Sequence, residues 1–368
     1  MENVDESSIL KPGTRIKPQV DAETAKNILL KTYGIKVLEI CELNSYDDKN
    51  FLVFADKNIK NPNINFCADG YVLKILNSFD SKKIAFIEGQ TALSLYLNNQ
   101  KIVCPRQLQD INGKYYSFEN ENIIRLYDFI PGKILGDVPS CSNLFYHAGV
   151  FLGKMDSTLK VWNFNHDGYK NHKTLWMLSS VPHLEEFVNV VIDEEKRGMV
   201  EDIIDLFKQK VLNHIDEFPK QIIHGDFNEQ NVLVNKNAAS GDYKVVGVID
   251  YGDTQYSCLL FEIAIALTYM MLVTGDIETG GYFLAGYKMV RLIPENEMNL
   301  LRICVCARLC QSLVLGLYTH QFDQSNQYLL TTQAAGWNLL RDLYTKTDKE
   351  VCHIWNETAD EYLTQSYK

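Results

Sequence analysis

The chain has no Cys-x-x-Cys pair, no block rich in lysine or arginine, no internal repeat and no low-complexity tract. Each absence excludes something. Nine scattered cysteines, an odd number without a framework, argue against a disulfide scaffold and for a reducing compartment. With 36 Lys and Arg against 47 Asp and Glu, a net charge of −11 and no basic stripe, nucleic acid is not an expected partner. The first residues, Met-Glu-Asn-Val-Asp-Glu, are acidic and hold no apolar signal core. The most apolar stretch, 258–273, contains Glu262 and is too short to span a bilayer comfortably. The expectation is a soluble cytoplasmic protein without a membrane partner. What the chain does have is apolar bulk. Of its 368 residues, 46% are hydrophobic and 11% aromatic, enough for a substantial core and for two lobes.

The densest cluster of chemically usable side chains lies in 222–253. It reads Ile-Ile-His-Gly-Asp-Phe-Asn-Glu-Gln-Asn-Val-Leu-Val, then a polar turn over 235–242, then Val-Val-Gly-Val-Ile-Asp-Tyr-Gly-Asp. Short runs rich in Val and Ile, bounded by polar residues, predict two strands in a hairpin. Pairing them brings Asn231 and Asp250 to one end, with Asp226. A hard cation such as Mg²⁺ takes carboxylate and amide oxygens and keeps water for the rest of its shell. One carboxylate is then left to receive a proton from an attacking hydroxyl. Kinases divide the labour this way: one Asp positions the hydroxyl and accepts its proton, while an Asn and a second Asp hold metal on the phosphates. The bland alternative is a hairpin with solvated acidic ends. His-Gly-Asp alone is weak, but Asn231 five residues after Asp226, and the second acidic motif one hairpin later, make the pattern specific.

Taken in order, residues 1–18 are polar and expected to be flexible. A helix is predicted over 21–33, with Asp21 as its cap and Gly34 as its end. Strands over 36–42 and 51–55 flank a loop without glycine, which offers Asn44, Ser45 and backbone N–H groups to a nucleotide. Asp47 and Asp48 in that loop would repel phosphate if turned inward, so a nucleotide cover and an ordinary polar turn both fit. The strand 71–76 places Lys74 on one face with Val72 and Leu76, where its ammonium needs a partner. Glu88, in a helix over 81–98, is the expected one, the pair serving the α and β phosphates. A Lys that snorkels to water beside an unrelated surface Glu is the alternative. Asn112-Gly113 between 106–110 and 114–118 predicts a hairpin. A strand over 122–129 runs into Ile130-Pro131-Gly132, the expected hinge. Beyond it, apart from the hairpin, helices are predicted over 142–159, 183–191, 199–217, 259–273, 282–289, 295–320 and 326–344. The expected fold is α+β and bilobal, of the protein-kinase-like kind. A small N-terminal nucleotide-binding lobe (19–131) has an antiparallel sheet and one main helix; a larger, mostly helical C-terminal lobe (132–368) carries the catalytic hairpin.

Four further residues stand out. His224 reads as scaffold. Asp253 can orient Asp226, meet the substrate or cap the next segment. Glu262 in its apolar run needs a partner, which a backbone cap, Arg302, Arg308 or a substrate ammonium would supply. Arg308, near Gln311, can grip a substrate carboxylate through two parallel hydrogen bonds or pair with Glu262.

These motifs resemble the aminoglycoside phosphotransferase and choline kinase-like superfamily. The matching stretches are Ser45-Tyr-Asp-Asp-Lys-Asn-Phe51, Tyr71-Val-Leu-Lys-Ile75, Phe129-Ile-Pro-Gly132, His224-Gly-Asp-Phe-Asn-Glu-Gln-Asn231 and Asp250-Tyr-Gly-Asp253. Phe261-Glu-Ile-Ala264, Tyr269-Met-Met271, Cys306-Ala-Arg-Leu-Cys-Gln-Ser-Leu313 and Ile354-Trp-Asn-Glu-Thr-Ala359 extend the match over nearly the whole chain. Gly225 stands where protein kinases usually have Arg, Tyr251 where Phe is usual and Phe227 where Leu is usual. The Ser-Tyr-Asp-Asp loop and the stretch from Cys306 favour the branch that acts on a hydroxylated amino acid. The resemblance implies Asp226 as proton acceptor, Asn231 and Asp250 as Mg²⁺ ligands, and Lys74 as phosphate ligand supported by Glu88. It implies GTP, with ATP as the alternative, as donor and 5-hydroxy-L-lysine as acceptor. Asp253, Glu262 and Arg308 are the substrate-contact candidates. The rivals are a kinase of the same fold acting on choline, ethanolamine or a sugar, and a non-catalytic pseudokinase. The second is disfavoured because Lys74, Glu88, Asp226, Asn231 and Asp250 are all present.

Overall fold

A computed structural model describes residues 9–10, 13–162, 167–238, 241–322, 324, 330 and 332–366. Their contacts separate two compact units, one from 14–131 and 165–172, the other from 9–13, 132–164 and 173–368.

In the first unit Asp21 caps α1 (Ala22–Tyr33), its carboxylate accepting from Thr24 N at 2.8 Å, and Gly34 ends the helix. The strands β1 (Val37–Leu43), β2 (Lys49–Ala55) and β3 (Tyr71–Ile75) follow, then α2 (Ile84–Asn99), β4 (Gln107–Leu108), β5 (Ser117–Glu119) and β6 (Asn122–Asp128). The sheet runs β1-β2-β3-β6-β4, with β5 also on β6, and all its pairings are antiparallel. On β3 the period of two buries Tyr71, Leu73 and Ile75 and leaves Val72 and Lys74 half-buried. Those three pack with Phe51, Val53, Ile124, Leu126 and the apolar stripe of α1. The expected Asn112-Gly113 hairpin is replaced by a turn whose flanks pair separately with β6. Asp110, 2% exposed, is the physical reason: its carboxylate takes the N–H groups of Asn112 and Lys114 and the hydroxyl of Ser117. The helix expected from 81 starts at Ile84, after a 3₁₀ turn over Asp80–Lys82.

The second unit contains β7 (Lys133–Ile134) and α3 (Ser142–Lys160), while a short helix, α4 (Asp167–Asn171), belongs to the first. That return was not expected; in the first unit the His172 ring stacks on Phe86 at 3.7 Å. The second unit continues with α5 (Glu194–Lys210), β8 (Lys220–Ile223), β9 (Val232–Lys236), β10 (Tyr243–Val248), β11 (Gln255–Cys258), α6 (Leu259–Thr274), α7 (Thr279–Lys288), α8 (Glu295–Met298), α9 (Leu301–His320), α10 (Gln333–Tyr344) and α11 (Asp348–Ser366). Two small sheets, β10-β9-β7 and β11-β8, sit among the helices. The helix expected over 183–191 is instead 3₁₀, over Leu178–Glu186, which holds Pro182, and Val188–Val190. The helix expected over 295–320 is broken into α8 and α9. Of the one expected over 326–344, residues 326–329 and 331 lie outside the described residues, as do 1–8 and 11–12 of the N-terminus. Among the described residues, α9 alone is long and apolar enough to cross a membrane, and 89% of its most apolar 18-residue window is buried inside the protein.

Candidate active site

The site grows from the β9–β10 hairpin. Val232 pairs with Val248, and Ile249 N donates to Asn231 O at 2.9 Å, which sets Asn231 against the entry to Asp250. The hairpin therefore forms as the sequence predicts. Asp250 has a left-handed backbone, φ 57, which a short polar side chain eases by local bonding; its Oδ1 accepts from Gly252 N at 3.2 Å.

The loop before β9 is held from three directions. Asn228 Oδ1 accepts from Gln230 N and Asn231 N, both at 2.9 Å, and closes a tight turn. His224 is 1% exposed; its Nδ1 accepts from Asp226 N at 3.2 Å and its Nε2 donates to Ile249 O at 3.0 Å. Those partners define a neutral ring protonated at Nε2, in keeping with burial, which pushes the imidazole below its usual range. His224 thus spans loop and hairpin as scaffold. Gly225 has φ 79, and a Cβ there would lie 2.4 Å from Asp253 O, which excludes the Arg that protein kinases place at this position. Its N–H donates to Glu262 Oε2 at 2.8 Å.

Of the partners expected for Glu262, this bond supplies the backbone one. The residue is 0% exposed on α6, and its partner is the loop backbone. Burial, then the nearby Asp156 carboxylate, pushes its carboxyl well above the usual range. Asp156 on α3 is also fully buried; Tyr287 of α7 donates to its Oδ2 at 2.9 Å. Burial pushes Asp156 up to about 7. Arg302 pairs with Asp348 at 2.6 Å, not with Glu262.

Asp226 is the centre of the constellation. Its Oδ2 accepts from Asn228 Nδ2 and Asn231 Nδ2, both at 2.8 Å, and its Oδ1 from Arg308 Nη2 at 3.0 Å. Asn231 spends its amide nitrogen on Asp226, which leaves its carbonyl oxygen to face a cation. Among the described residues no group of three or more His, Cys, Asp and Glu is arranged to hold a metal. An amide oxygen with one carboxylate, Asn231 with Asp250, still fits a hard cation whose remaining positions go to phosphate and water. Burial works against the charge of Arg308, but Tyr269, Asp226 and Asp253, in that order, outweigh it and hold the guanidinium above its usual range. Asn228, Asp156 and the Arg308–Asp226 pair were missed by sequence reasoning; only the Asn two residues after Asp226, a turn former, carried any signal.

In the first unit the expected Lys74–Glu88 ion pair does not form. Lys74 Nζ lies 3.1 Å from Asp48 Oδ2, and Glu88 is exposed, accepting from Tyr116 Oη at 3.3 Å. The reason is local: Asp48, anchored by Asn77 N and Nδ2 at 2.9 and 3.0 Å, is turned inward and supplies the counter-charge first. Ser45 Oγ donates to Asp48 O at 2.5 Å and so closes the same loop. Burial, then Asp48 and Asp80, pushes Asp47 up to about 7.

Residues 62–295 match the model of the phosphotransferase enzyme family, and the chain belongs to it. It is a small-molecule kinase, a phosphotransferase with an alcohol group as acceptor, with the protein-kinase-like fold of that family. The chain is similar to the hydroxylysine kinase of Xenopus laevis, with 32% identity over 94% of this chain and 96% of that one. Its fold is that of an amicoumacin kinase solved with AMP-PNP and Ca²⁺, at a TM-score of 0.64 and 16% identity over 90% of this chain and 94% of that one. It is also that of a GDP complex of aminoglycoside 2′-phosphotransferase-IIIa, at a TM-score of 0.58 and 15% identity over 89% and 99%.

Proposed function

We propose that this kinase transfers the γ-phosphoryl group of GTP to the side-chain hydroxyl of 5-hydroxy-L-lysine. Two observations support the acceptor: the similarity to hydroxylysine kinases along nearly the full length of both chains, and an acidic balance suited to a diamino substrate. The observation that carries the reaction is the Asp226 carboxylate, ionisable, partly exposed and held by three donors. Asp226 orients the acceptor hydroxyl in line and takes its proton as the oxygen–phosphorus bond forms and the bond to the nucleoside diphosphate breaks. Asn231 and Asp250 are the residues that would hold Mg²⁺, which when bound neutralises charge on the transferring phosphoryl group. Lys74 is proposed as a phosphate ligand and Ser45 as part of the nucleotide-covering loop. Glu88, exposed and bonded to Tyr116, keeps a supporting role only if it changes partner on nucleotide binding. The cytoplasm is proposed as the compartment, in keeping with nine free thiols.

The test separates metal from turnover. Titration calorimetry of GTP into wild type and Asp250→Asn, with and without Mg²⁺, should show affinity rising at least about tenfold with Mg²⁺ in wild type and little in the variant. An equal Mg²⁺ effect in both would remove Asp250 from the metal site. The same titration with ATP ranks the donors; a preference for ATP would overturn the GTP assignment and leave the rest.

A further inference from the structure

We propose that Arg308 is a positioning residue for Asp226, not a receptor for the acceptor's carboxylate, and that it selects which oxygen of Asp226 takes the hydroxyl proton. The inference rests on the reading of Asp226 as proton acceptor. A carboxylate offers about four lone-pair sites. Two on Oδ2 are taken by the amides of Asn228 and Asn231, and one on Oδ1 by the Arg308 guanidinium. The open site is on Oδ1. The Asp226 side chain keeps 21% exposure while Arg308 keeps 1%, so an incoming hydroxyl meets the carboxylate and not the guanidinium.

Of the rest of Arg308, Nε is buried without a hydrogen-bond partner and Nη1 is committed. Nη1 donates to Trp176 O and to Gln311 Oε1, both at 2.8 Å. Gln311 is itself fixed by its amide donating to the carbonyls of Leu175 and Met177. The guanidinium lies between the rings of Trp176 and Tyr269, 5.3 Å from each, so α9 presents it inside an aromatic cage that holds its plane. A substrate carboxylate would have to displace Asp226 from this buried cation, and the proton acceptor would lose its place. With Arg308 on Oδ1 and two amides on Oδ2, the carboxylate cannot swing about its last bond. In transfer the hydroxyl O–H bond breaks, its proton goes to Oδ1, and the oxygen's electron pair forms the bond to phosphorus.

The test is steady-state kinetics of Arg308→Gln and Arg308→Lys beside Asp226→Asn. The acceptors are 5-hydroxy-L-lysine and hydroxycadaverine, its decarboxylated counterpart. A misplaced reacting group costs on the order of 10²-fold in rate. The expected result is a fall of that size in kcat for both acceptors in Arg308→Gln, with acceptor KM within about threefold of wild type. Arg308→Lys, which keeps the charge without the planar fork, should recover only part of it. Thermal melts check folding; if Arg308→Gln is unstable, the kcat-against-KM split of Arg308→Lys decides. Unchanged kcat, or a KM rise confined to the carboxylate-bearing acceptor, overturns the inference. If Asp226→Asn is dead while Arg308→Gln turns over normally, the inference fails alone. If Asp226→Asn turns over normally, the reading beneath it fails too.

Discussion

Asp156 shows how a single residue ties the site to the stability of the unit that carries it. Its carboxyl is fully buried, bonded to Tyr287 Oη and close to Glu262, while Arg291 Nη1 donates to its backbone carbonyl at 3.2 Å. An unfolded chain releases this proton near pH ~4. The folded chain holds it to about 7. Between those values the folded state binds more protons than the unfolded state, so stability falls as pH rises through the window. Asp156→Asn removes that share. The expected outcome is a melting temperature that declines less steeply from pH 4 to pH 7 in the variant than in wild type. Parallel curves would contradict it, and with it the buried neutral carboxyl. At this scale the sequence is legible in placement: Asn231 bonds Asp226, the hairpin sets Asn231 against the entry to Asp250, and His224 spans loop and hairpin. It was not legible where the partner comes from a distant helix. Nothing in the run around Arg308 says that its counter-charge is Asp226, 82 positions earlier. The need of Lys74 for a counter-charge is legible, but not that Asp48, in the loop before β2, stands 3.1 Å from it.

At the scale of elements, the second unit relies on one unusually close helix pair. A Cβ on Gly149 of α3 would lie 2.0 Å from Phe283 O of α7, and one on Gly286 of α7 would lie 1.9 Å from Tyr146 O of α3. Only residues without side chains let these backbones meet, and the same pair carries Asp156 and Tyr287. Gly149→Ala should force the helices apart and destabilise the protein by about 1–3 kcal/mol. Urea unfolding measures this, and an unchanged midpoint would mean that the helices separate at no cost. Long periodic segments such as α1 and α3 are legible from apolar spacing, α1 also from its cap, while the break between α8 and α9 is not. The helix expected over 183–191 is instead 3₁₀, over Leu178–Glu186 and Val188–Val190, a distinction that apolar spacing over so few residues does not carry. The Asn112-Gly113 turn formed without its hairpin because one buried carboxylate, Asp110, absorbed the donors that strand pairing would have used.

At the scale of the whole molecule, composition and the Pro131-Gly132 breaker predicted two lobes, and the contacts separate two units. The return of 167–172 to the first unit was not legible, since a five-residue helix such as α4 has too little length to show a period. The proposed reaction can be read out in a single measurement. Purified protein with Mg²⁺ and GTP is given 5-hydroxy-L-lysine or lysine, with Asp226→Ala as the blank, and product is read by mass. The account predicts a phosphorylated product from hydroxylysine, none from lysine and a loss of at least about 10³-fold in the variant. No product from folded wild-type protein with GTP or ATP, or equal product from Asp226→Ala, would contradict it.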